Sequence, residues 1–190
     1  MTALRTEDSL HKLGSCGEPV FHTDVRVVDS EGKDLPRGEM GEVLVKGPNV
    51  IREYWRLPEA TAESIVDCWL HTGDMGYIDS EGYLFLVDRK KDMYISGGEN
   101  VYPAEVEDAL MGFEKLPDAE VIGVPDDKWG EVGLAMVIPA PGVEVTEEKV
   151  IEFCRGKLAK HKIPKNVAMV ESLPRTAPEK CLKRRSKPSS

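Results

Sequence analysis

Hydrophobic and polar residues alternate along much of the first half of the chain, as they do in β-strands that bury one face. Residues 21–28 (FHTDVRVV) and 41–47 (GEVLVKG) show this alternation, with Asp-Ser-Glu-Gly between them. The same tetrapeptide recurs at residues 79–82, between MGYI and YLFLV. Because glycine tolerates the positive φ that tight turns require, both tetrapeptides predict β-hairpin turns.

A short helix interrupts this β pattern. Residues 56–65 (RLPEATAESI) predict a helix with Pro58 near its start, where a missing N–H costs nothing. The first 87 residues are therefore predicted to be mostly β, with one helix.

After Asp88 the pattern of hydrophobic residues changes, and predicted helices are separated by short apolar strands. A helix is predicted over residues 103–113, and a second over residues 145–161, capped by Thr146. Their predicted inward faces comprise Val106, Ala109, Leu110 and Phe113 in the first helix and Val150, Ile151, Cys154 and Leu158 in the second. Buried strands are predicted at residues 119–125, 133–140 and 165–171. This alternation of strands and helices predicts a small α+β layer domain.

The change of pattern places a domain boundary near residues 88–91, so we expect domains at residues 1–87 and 88–190. The link is charged (DRKK) and has no Gly/Ser-rich spacer. A very short, solvated connection of this kind is what a hinge between two domains requires.

Composition narrows the class of protein. A chain of 190 residues with 41% hydrophobic and 31% charged residues is typical of globular domains. No apolar run approaches the roughly 18 residues of a transmembrane helix, and residues 1–14 lack the apolar core of a secretory signal. The net charge of −9 argues against nucleic acid as the main partner. The four cysteines are isolated, which indicates a reducing, cytoplasmic location and predicts neither a zinc site nor a disulfide.

The common phosphate-binding and catalytic motifs are missing. The sequence contains no G-x-x-x-x-G-K-[ST], G-x-G-x-x-G, G-x-S-x-G or H-E-x-x-H, and its four histidines are scattered. What remains is a series of short motifs that are weak singly and specific in their order: HTGD (71–74), DRKKD (88–92), SGGEN (96–100), YPAEVE (102–107), GVPDDKWGE (123–131), KIPK (162–165) and LPRTAPEK (173–180).

In this order and spacing the motifs resemble the C-terminal part of an adenylate-forming (ANL superfamily) acyl-CoA synthetase, most similar to fatty-acid–CoA ligases. The resemblance covers residues 14–183. It implies a β-rich distorted-barrel subdomain, which ends the AMP-binding large domain, followed by a small, mobile α+β C-terminal lid domain. It also implies a ligase that converts a long- or medium-chain fatty acid, ATP and CoA into acyl-CoA, AMP and pyrophosphate through an acyl-adenylate, with Mg²⁺ as a cofactor.

The resemblance assigns roles to individual residues. Asp74 corresponds to the family aspartate that binds the ribose hydroxyls, a role for which a carboxylate with two acceptor oxygens is suited. Arg89 corresponds to an arginine that reaches the ribose and phosphates; from the residues alone, a surface ion pair with Asp88 or Asp92 is the alternative. Lys91 occupies the position of the hinge residue, or is an ordinary solvated lysine.

Three further residues fall on the face that the resemblance places at the second half-reaction. Gly97 and Gly98 correspond to the loop that lines the pantetheine tunnel, where glycine permits a close approach of the backbone. Taken alone, a glycine pair is more often a simple turn. Asn100 corresponds to a polar residue near the adenylate.

Lys180 corresponds to the lysine that bridges the substrate carboxylate and the α-phosphate. An ammonium group there would stabilise the negative charge that develops during adenylation. Relatives have glycine before this lysine, whereas this chain has Glu179. The substitution places a negative charge next to Lys180 and puts its catalytic role in question.

The resemblance also shows what the sequence lacks, namely the family's phosphate loop, adenine-binding motif, acyl pocket and the Thr-Glu pair that helps to bind magnesium. We therefore expect that the isolated chain cannot adenylate, and that the acid is selected outside it. The alternatives are another acid–CoA ligase (aryl or succinylbenzoate), a carrier-loading adenylation enzyme, or a non-catalytic fragment that binds nucleotide or CoA. Residues 20–87 are expected to expose an apolar surface, which leaves self-association and peripheral contact with membranes open.

Overall fold

The computed structural model describes residues 1–173 and, in addition, the backbone of residues 175–176 and 180–181. The chain divides into two compact units. The first comprises Met1–Lys91, and the second begins at Asp92. The charged segment that the sequence places at the boundary is partly strand, because the last strand of the first unit continues through Arg89.

The first unit is a seven-stranded antiparallel sheet with one short helix. Its elements are β1 (Thr2–Ala3), β2 (Ser15–Pro19), β3 (Asp24–Val28), β4 (Gly41–Lys46), α1 (Pro58–Ser64), β5 (Ile65–Val66), β6 (Trp69–Ile78) and β7 (Leu84–Arg89). The strand order is β1-β2-β7-β6-β4-β3, and β5 pairs with β6. Both the β-rich character and the helix that begins at Pro58 are confirmed.

Both Asp-Ser-Glu-Gly tetrapeptides form turns, with Gly32 at a φ of 80° and Gly82 at 101°. The second turn joins β6 directly to β7. The first turn forms a short hairpin of its own, in which Val28 bridges Asp34 and Asp29 N donates to Lys33 O at 3.0 Å, so the predicted hairpin turn is confirmed here too. Here Leu35 N donates to Val27 O at 2.9 Å, because the chain folds back on β3 before it crosses to β4.

The core of the first unit consists of Val27, Val43, Val45 and Leu84. β4 lies between β3 and β6, and its first five residues are all buried. One of them is Glu42, which is 7% exposed. An acidic side chain inside a central strand needs partners, because a buried charge is costly unless it is paired.

The second unit packs helices on a mixed sheet. Its elements are β8 (Tyr94–Ser96), β9 (Glu99–Val101), α2 (Pro103–Met111), β10 (Asp118–Asp126), β11 (Gly130–Ile138), α3 (Glu147–Arg155), a 3₁₀ turn (Lys160–Lys162), β12 (Asn166–Met169), β13 (Arg175–Thr176) and β14 (Lys180–Cys181). The strand order is β10-β11-β8-β9, β12 runs parallel to β11, and β13 pairs with β14. The predicted α+β fold class is confirmed.

The helices of this unit follow the sequence pattern, although α3 is shorter than predicted. Val150 and Cys154 are fully buried, whereas Ile151 is only partly buried. α3 ends at Arg155 with Gly156 as its C-cap, and Leu158 reaches the core from beyond the helix. No helix among the described residues is long and apolar enough to cross a membrane.

The first residue of β8, Tyr94, fills a space left by two strand glycines. Tyr94 is 2% exposed, and Gly123 and Gly133 lie opposite each other on β10 and β11. A Cβ atom on Gly123 would lie 2.4 Å from Tyr94 Cβ, and one on Gly133 would lie 2.5 Å from the Tyr94 hydroxyl. The buried hydroxyl has no hydrogen-bond partner among the described residues, and its burial raises the pKa of Tyr94.

Candidate functional site

The HTGD segment forms an irregularity in β6. His71 lies opposite Leu44 on β4, and Met75 lies opposite Glu42. Four steps along β6 therefore match two steps along β4, so residues 72–74 include two extra residues that bulge from the ladder. Such bulges re-aim side chains and are common beside functional sites.

Hydrogen bonds from the segment's own residues fix the bulge. The Thr72 hydroxyl donates to Val43 O at 2.8 Å and accepts from Asp74 N at 3.0 Å. Gly73 adopts a φ of 70°, and its carbonyl accepts from Lys90 N at 2.8 Å. The Thr-Gly-Asp order therefore has a local cause: threonine anchors the bulge, glycine takes the positive φ, and Asp74 is presented at its end.

Asp74 and Arg89 meet across β6 and β7. They are directly opposite in register, and Arg89 Nε lies 3.2 Å from Asp74 Oδ1. The Asp74 side chain is 27% exposed and that of Arg89 is 56% exposed, so a ligand can reach both. A carboxylate in such an ion pair keeps acceptor positions for further hydrogen bonds. The structure thus brings together two residues that the sequence proposed separately, and it pairs Arg89 with Asp74 rather than with Asp88 or Asp92.

Glu42 is a residue of this region that sequence reasoning missed. Lys90 Nζ donates to Glu42 Oε2 at 2.9 Å, and His71 Nδ1 lies 3.3 Å from the same oxygen. Burial would raise the pKa of Glu42, but the hydrogen bonds from Lys90 and His71 outweigh it and hold the pKa below its usual value. No signal in the sequence marked Glu42 as buried, because an acidic residue next to an apolar run such as Val43-Leu44-Val45 is usually exposed.

The predicted hinge residue and the predicted catalytic lysine lie at two other places in the chain. Lys91 is exposed and is the last residue of the first unit. The side chain of Lys180 and the residues before it, including Glu179, lie outside the described residues. The backbone of Lys180 pairs with Thr176 in the β13–β14 hairpin.

The SGGEN segment closes the β8–β9 hairpin of the second unit. Ser96 pairs with Glu99, and the two residues between them have positive φ, 62° at Gly97 and 87° at Gly98. This is the requirement of a type I′ turn, which glycine meets without strain. Asn100 follows on β9 and is exposed.

Trp129 gives a second reason for Gly97, and it too was missed. A Cβ atom on Gly97 would lie 2.8 Å from Trp129 Cε3, whereas one on Gly98 would meet nothing within 4 Å. Gly97 N also donates to Trp129 O at 2.9 Å. Lys128 and Lys165 place their ammonium groups 5.1 and 5.3 Å from the indole centre. The Lys-Trp pair in GVPDDKWGE and the last lysine of KIPK were the signals available.

The chemistry that the described residues offer is that of organic and anionic ligands. No group of three or more His, Cys, Asp or Glu side chains in the described part of the chain could hold a metal ion. The Asp74–Arg89 pair combines an acceptor with a guanidinium group, which suits a polyol that carries a phosphate.

Comparison with known proteins agrees with this chemistry. Residues 105–180 match the family "AMP-binding enzyme C-terminal domain", and residues 1–55 match the family "AMP-binding enzyme". A feruloyl-CoA synthase of Amycolatopsis sp. is 50% identical over 172 residues, which cover 90% of this chain and 35% of that protein.

Two enzymes of known structure extend the comparison. The o-succinylbenzoate–CoA synthetase of Bacillus subtilis, solved with its acyl-adenylate intermediate, superposes with a TM-score of 0.88 at 40% identity, covering 98% of this chain and 38% of that one. The same enzyme has been solved with ATP and magnesium. A fatty acyl CoA synthetase of Mycobacterium tuberculosis has a TM-score of 0.63 at 45% identity, covering 97% of this chain and 36% of that one. The chain thus spans little more than a third of the length of these relatives.

Proposed function

Because the chain belongs to the family of adenylate-forming AMP-binding enzymes, we propose that it acts as the C-terminal part of an acid–CoA ligase. In the reaction a carboxylate oxygen bonds to the α-phosphorus of ATP and pyrophosphate leaves. The sulfur of CoA then bonds to the acyl carbon, AMP leaves, and the thiol proton passes to solvent. The described residues offer no cluster for Mg²⁺, so we assign it no step.

The Asp74–Arg89 pair is the observation that carries this proposal. Asp74 is held by a bulge that three of its own residues specify, and it remains accessible beside a guanidinium group. We assign Asp74 to the ribose hydroxyls, which would donate to its carboxylate, and Arg89 to the ribose and phosphate side of the nucleotide. Both residues would act in binding and orientation, because an oriented reactant is worth several orders of magnitude in rate.

The remaining predicted residues are proposed for the change between the half-reactions, for thioester formation and for adenylation. Lys91 would be the point at which the backbone changes direction between half-reactions, since it is the last residue of the first unit. Gly97, Gly98 and Asn100 would face the pantetheine arm of CoA and the adenylate. Lys180 would stabilise the charge on the α-phosphate during adenylation.

The class of acid remains a choice between two candidates. Fatty acids are supported by the motif resemblance and by 45% identity to the mycobacterial fatty acyl CoA synthetase. Aromatic acids are supported by 50% identity to the feruloyl-CoA synthase. Neither figure measures a substrate pocket, so we propose an acid–CoA ligase and regard fatty acid as the first substrate to test.

A chimera would test the proposal. The part of the Bacillus subtilis enzyme that this chain matches would be replaced by this chain, and CoA-dependent AMP release would be measured with o-succinylbenzoate. We expect activity that falls by about two orders of magnitude in Asp74→Asn, because a carboxylate that binds the diol is lost. The matched control is Asp34→Asn, which removes an exposed carboxylate of the same unit.

A folded chimera that is inactive, or whose activity Asp74→Asn leaves unchanged, would contradict the proposal. The 190-residue chain alone, with ATP, magnesium, palmitate and CoA, is expected to release no AMP. Turnover that disappears in Lys180→Ala would show that the chain is catalytically self-sufficient. A chain that binds AMP while its folded chimera stays inactive would favour the non-catalytic alternative.

A further inference from the structure

We propose that Glu42 is a positioning residue for the nucleotide site, because its carboxylate joins the start of the bulge that carries Asp74 to the residue that follows Arg89. The inference rests on the proposed function for its consequence in binding, but its geometry can be tested without a nucleotide.

Glu42 contacts residues next to both parts of the candidate site, the bulge on β6 and Arg89 on β7. His71 precedes Thr72, the first residue of the bulge, and Lys90 directly follows Arg89. Both contact one oxygen, Glu42 Oε2, at 3.3 and 2.9 Å. The carboxylate on β4 therefore ties the entry to the bulge on β6 to the end of β7. These segments are separated by 29 and 48 residues along the chain from Glu42.

A backbone hydrogen bond completes a closed loop of contacts. Lys90 N donates to Gly73 O at 2.8 Å, so Lys90 holds the bulge through its backbone and β4 through its side chain. Arg89 directly precedes Lys90 and lies opposite Asp74 in register. Because the backbone of Lys90 is bonded to Gly73 and its side chain to Glu42, the preceding residue Arg89 has little freedom to leave its register opposite Asp74.

The burial of the three side chains is uneven, which distinguishes this cluster from a simple surface ion pair. The Glu42 side chain is 9% exposed, whereas His71 is 31% and Lys90 is 52% exposed. Only the central carboxylate is costly to bury, and surface pairs alone contribute little. A charged residue is retained here near the start of β4, while the buried residues that follow it are Val43, Leu44 and Val45.

The test is hydrogen–deuterium exchange of the 190-residue chain, comparing Glu42→Gln with the parent. Glutamine keeps the shape and removes the charge, and the partners that it releases can reach solvent, so the unit is expected to stay folded. We expect amide exchange at residues 72–75 and 89–91 to accelerate by roughly tenfold, the effect of one lost charge-assisted hydrogen bond. Exchange in β3 should remain within about twofold of the parent.

Two further variants make the result decisive. Lys90→Gln should accelerate the same two segments, since it removes the other end of the stronger contact. Asp34→Asn, which breaks the exposed Arg26–Asp34 pair elsewhere in the unit, should leave both segments unchanged. The proposal is overturned if Glu42→Gln leaves both segments protected, or if all of the first unit loses protection equally, because the residue would then only stabilise the sheet.

A measurement of nucleotide binding shows whether the positioning role of Glu42 fails or the proposed function itself fails. The parent chain should prefer AMP to 2′,3′-dideoxy-AMP, and Glu42→Gln should reduce that preference by roughly three- to tenfold. A parent with no preference would contradict the proposed function, while the exchange data still decide the geometry. A parent with a preference that Glu42→Gln fully retains would overturn the positioning role alone.

Discussion

The contact between Tyr94 and the glycine pair of β10 and β11 leads to a quantitative prediction for the second unit. In Gly133→Ala, the new methyl group would lie 2.5 Å from the Tyr94 hydroxyl, and the next nearest atoms, Pro164 Cα and Tyr94 Cζ, are at 3.4 Å. The clash is therefore with one oxygen atom. Overpacking of this kind in a core costs about 1–3 kcal/mol in the free energy of unfolding.

Removal of the Tyr94 hydroxyl oxygen should remove most of the destabilisation that Gly133→Ala causes. Tyr94→Phe deletes a buried hydroxyl that has no partner among the described residues, so alone it should be neutral or stabilise by up to about 1 kcal/mol. In the Tyr94→Phe background the nearest contacts of the methyl group are those at 3.4 Å, and Gly133→Ala should become nearly neutral. In the double-mutant cycle of Tyr94→Phe and Gly133→Ala, the coupling energy should be about 1–3 kcal/mol.

The assay is urea unfolding, with hydrogen exchange in β10 and β11 as a reporter of the second unit alone. Gly123→Ala is the matched control, because its methyl group would lie 2.4 Å from Tyr94 Cβ and 2.8 Å from Cγ, atoms that phenylalanine also has. Gly123→Ala should lower the free energy of unfolding equally in the parent and in the Tyr94→Phe variant. Equal costs for Gly133→Ala in the parent and in the Tyr94→Phe variant would refute the reasoning.

Three further predictions concern single positions. Cys68→Gly should raise the free energy of unfolding by about 0.5–1 kcal/mol in thermal unfolding, because Cys68 has a φ of 65°, which only glycine adopts without strain; an unchanged or lower stability would contradict this. Gly97→Ala should cost more than Gly98→Ala in urea unfolding, since both have positive φ but only the first would collide with Trp129; equal costs would be inconsistent with that contact. The folded-state pKa of Glu42 is lowered, so its contribution to stability is complete above its unfolded pKa of about 4.3 and is lost as the pH falls through the folded value. Below about pH 4 the Glu42→Gln variant should therefore lose stability less steeply than the parent in an acid titration of unfolding. Identical profiles for the variant and the parent would contradict the lowered pKa.

The parts of the fold that depend on local chemistry could be predicted from the sequence. The helices at Pro58 and Pro103 begin where proline is favoured, and Gly32 and Gly82 take the positive φ that their turns require. The end of α3 was misplaced because apolar residues continue beyond Gly156, where the helix stops. Leu158 therefore packs on the core from outside the helix, and hydrophobic periodicity alone does not distinguish this from a longer helix.

The parts that depend on register could not be predicted. Glu42 meets Lys90 over 48 residues of sequence, and the two-residue offset at the bulge determines which side chains meet there. Trp129 was hidden for the same reason, since its contact with Gly97 follows from the pairing of β11 with β8. Motif resemblance located Asp74 and Arg89, but only the antiparallel pairing of β6 and β7 made them a pair.

The most direct test of the account is the binding of AMP and of 2′,3′-dideoxy-AMP to the 190-residue chain and to its Asp74→Asn variant, measured by calorimetry or ligand-observed NMR. Two hydrogen bonds from the ribose to a carboxylate should give AMP an advantage of at least roughly tenfold in the parent. Asp74→Asn should abolish most of that advantage while leaving the affinity for the dideoxy analogue unchanged. If the parent binds both nucleotides equally, or if the variant keeps the preference, Asp74 is not the ribose-binding residue and the assignment of this region to nucleotide binding is wrong.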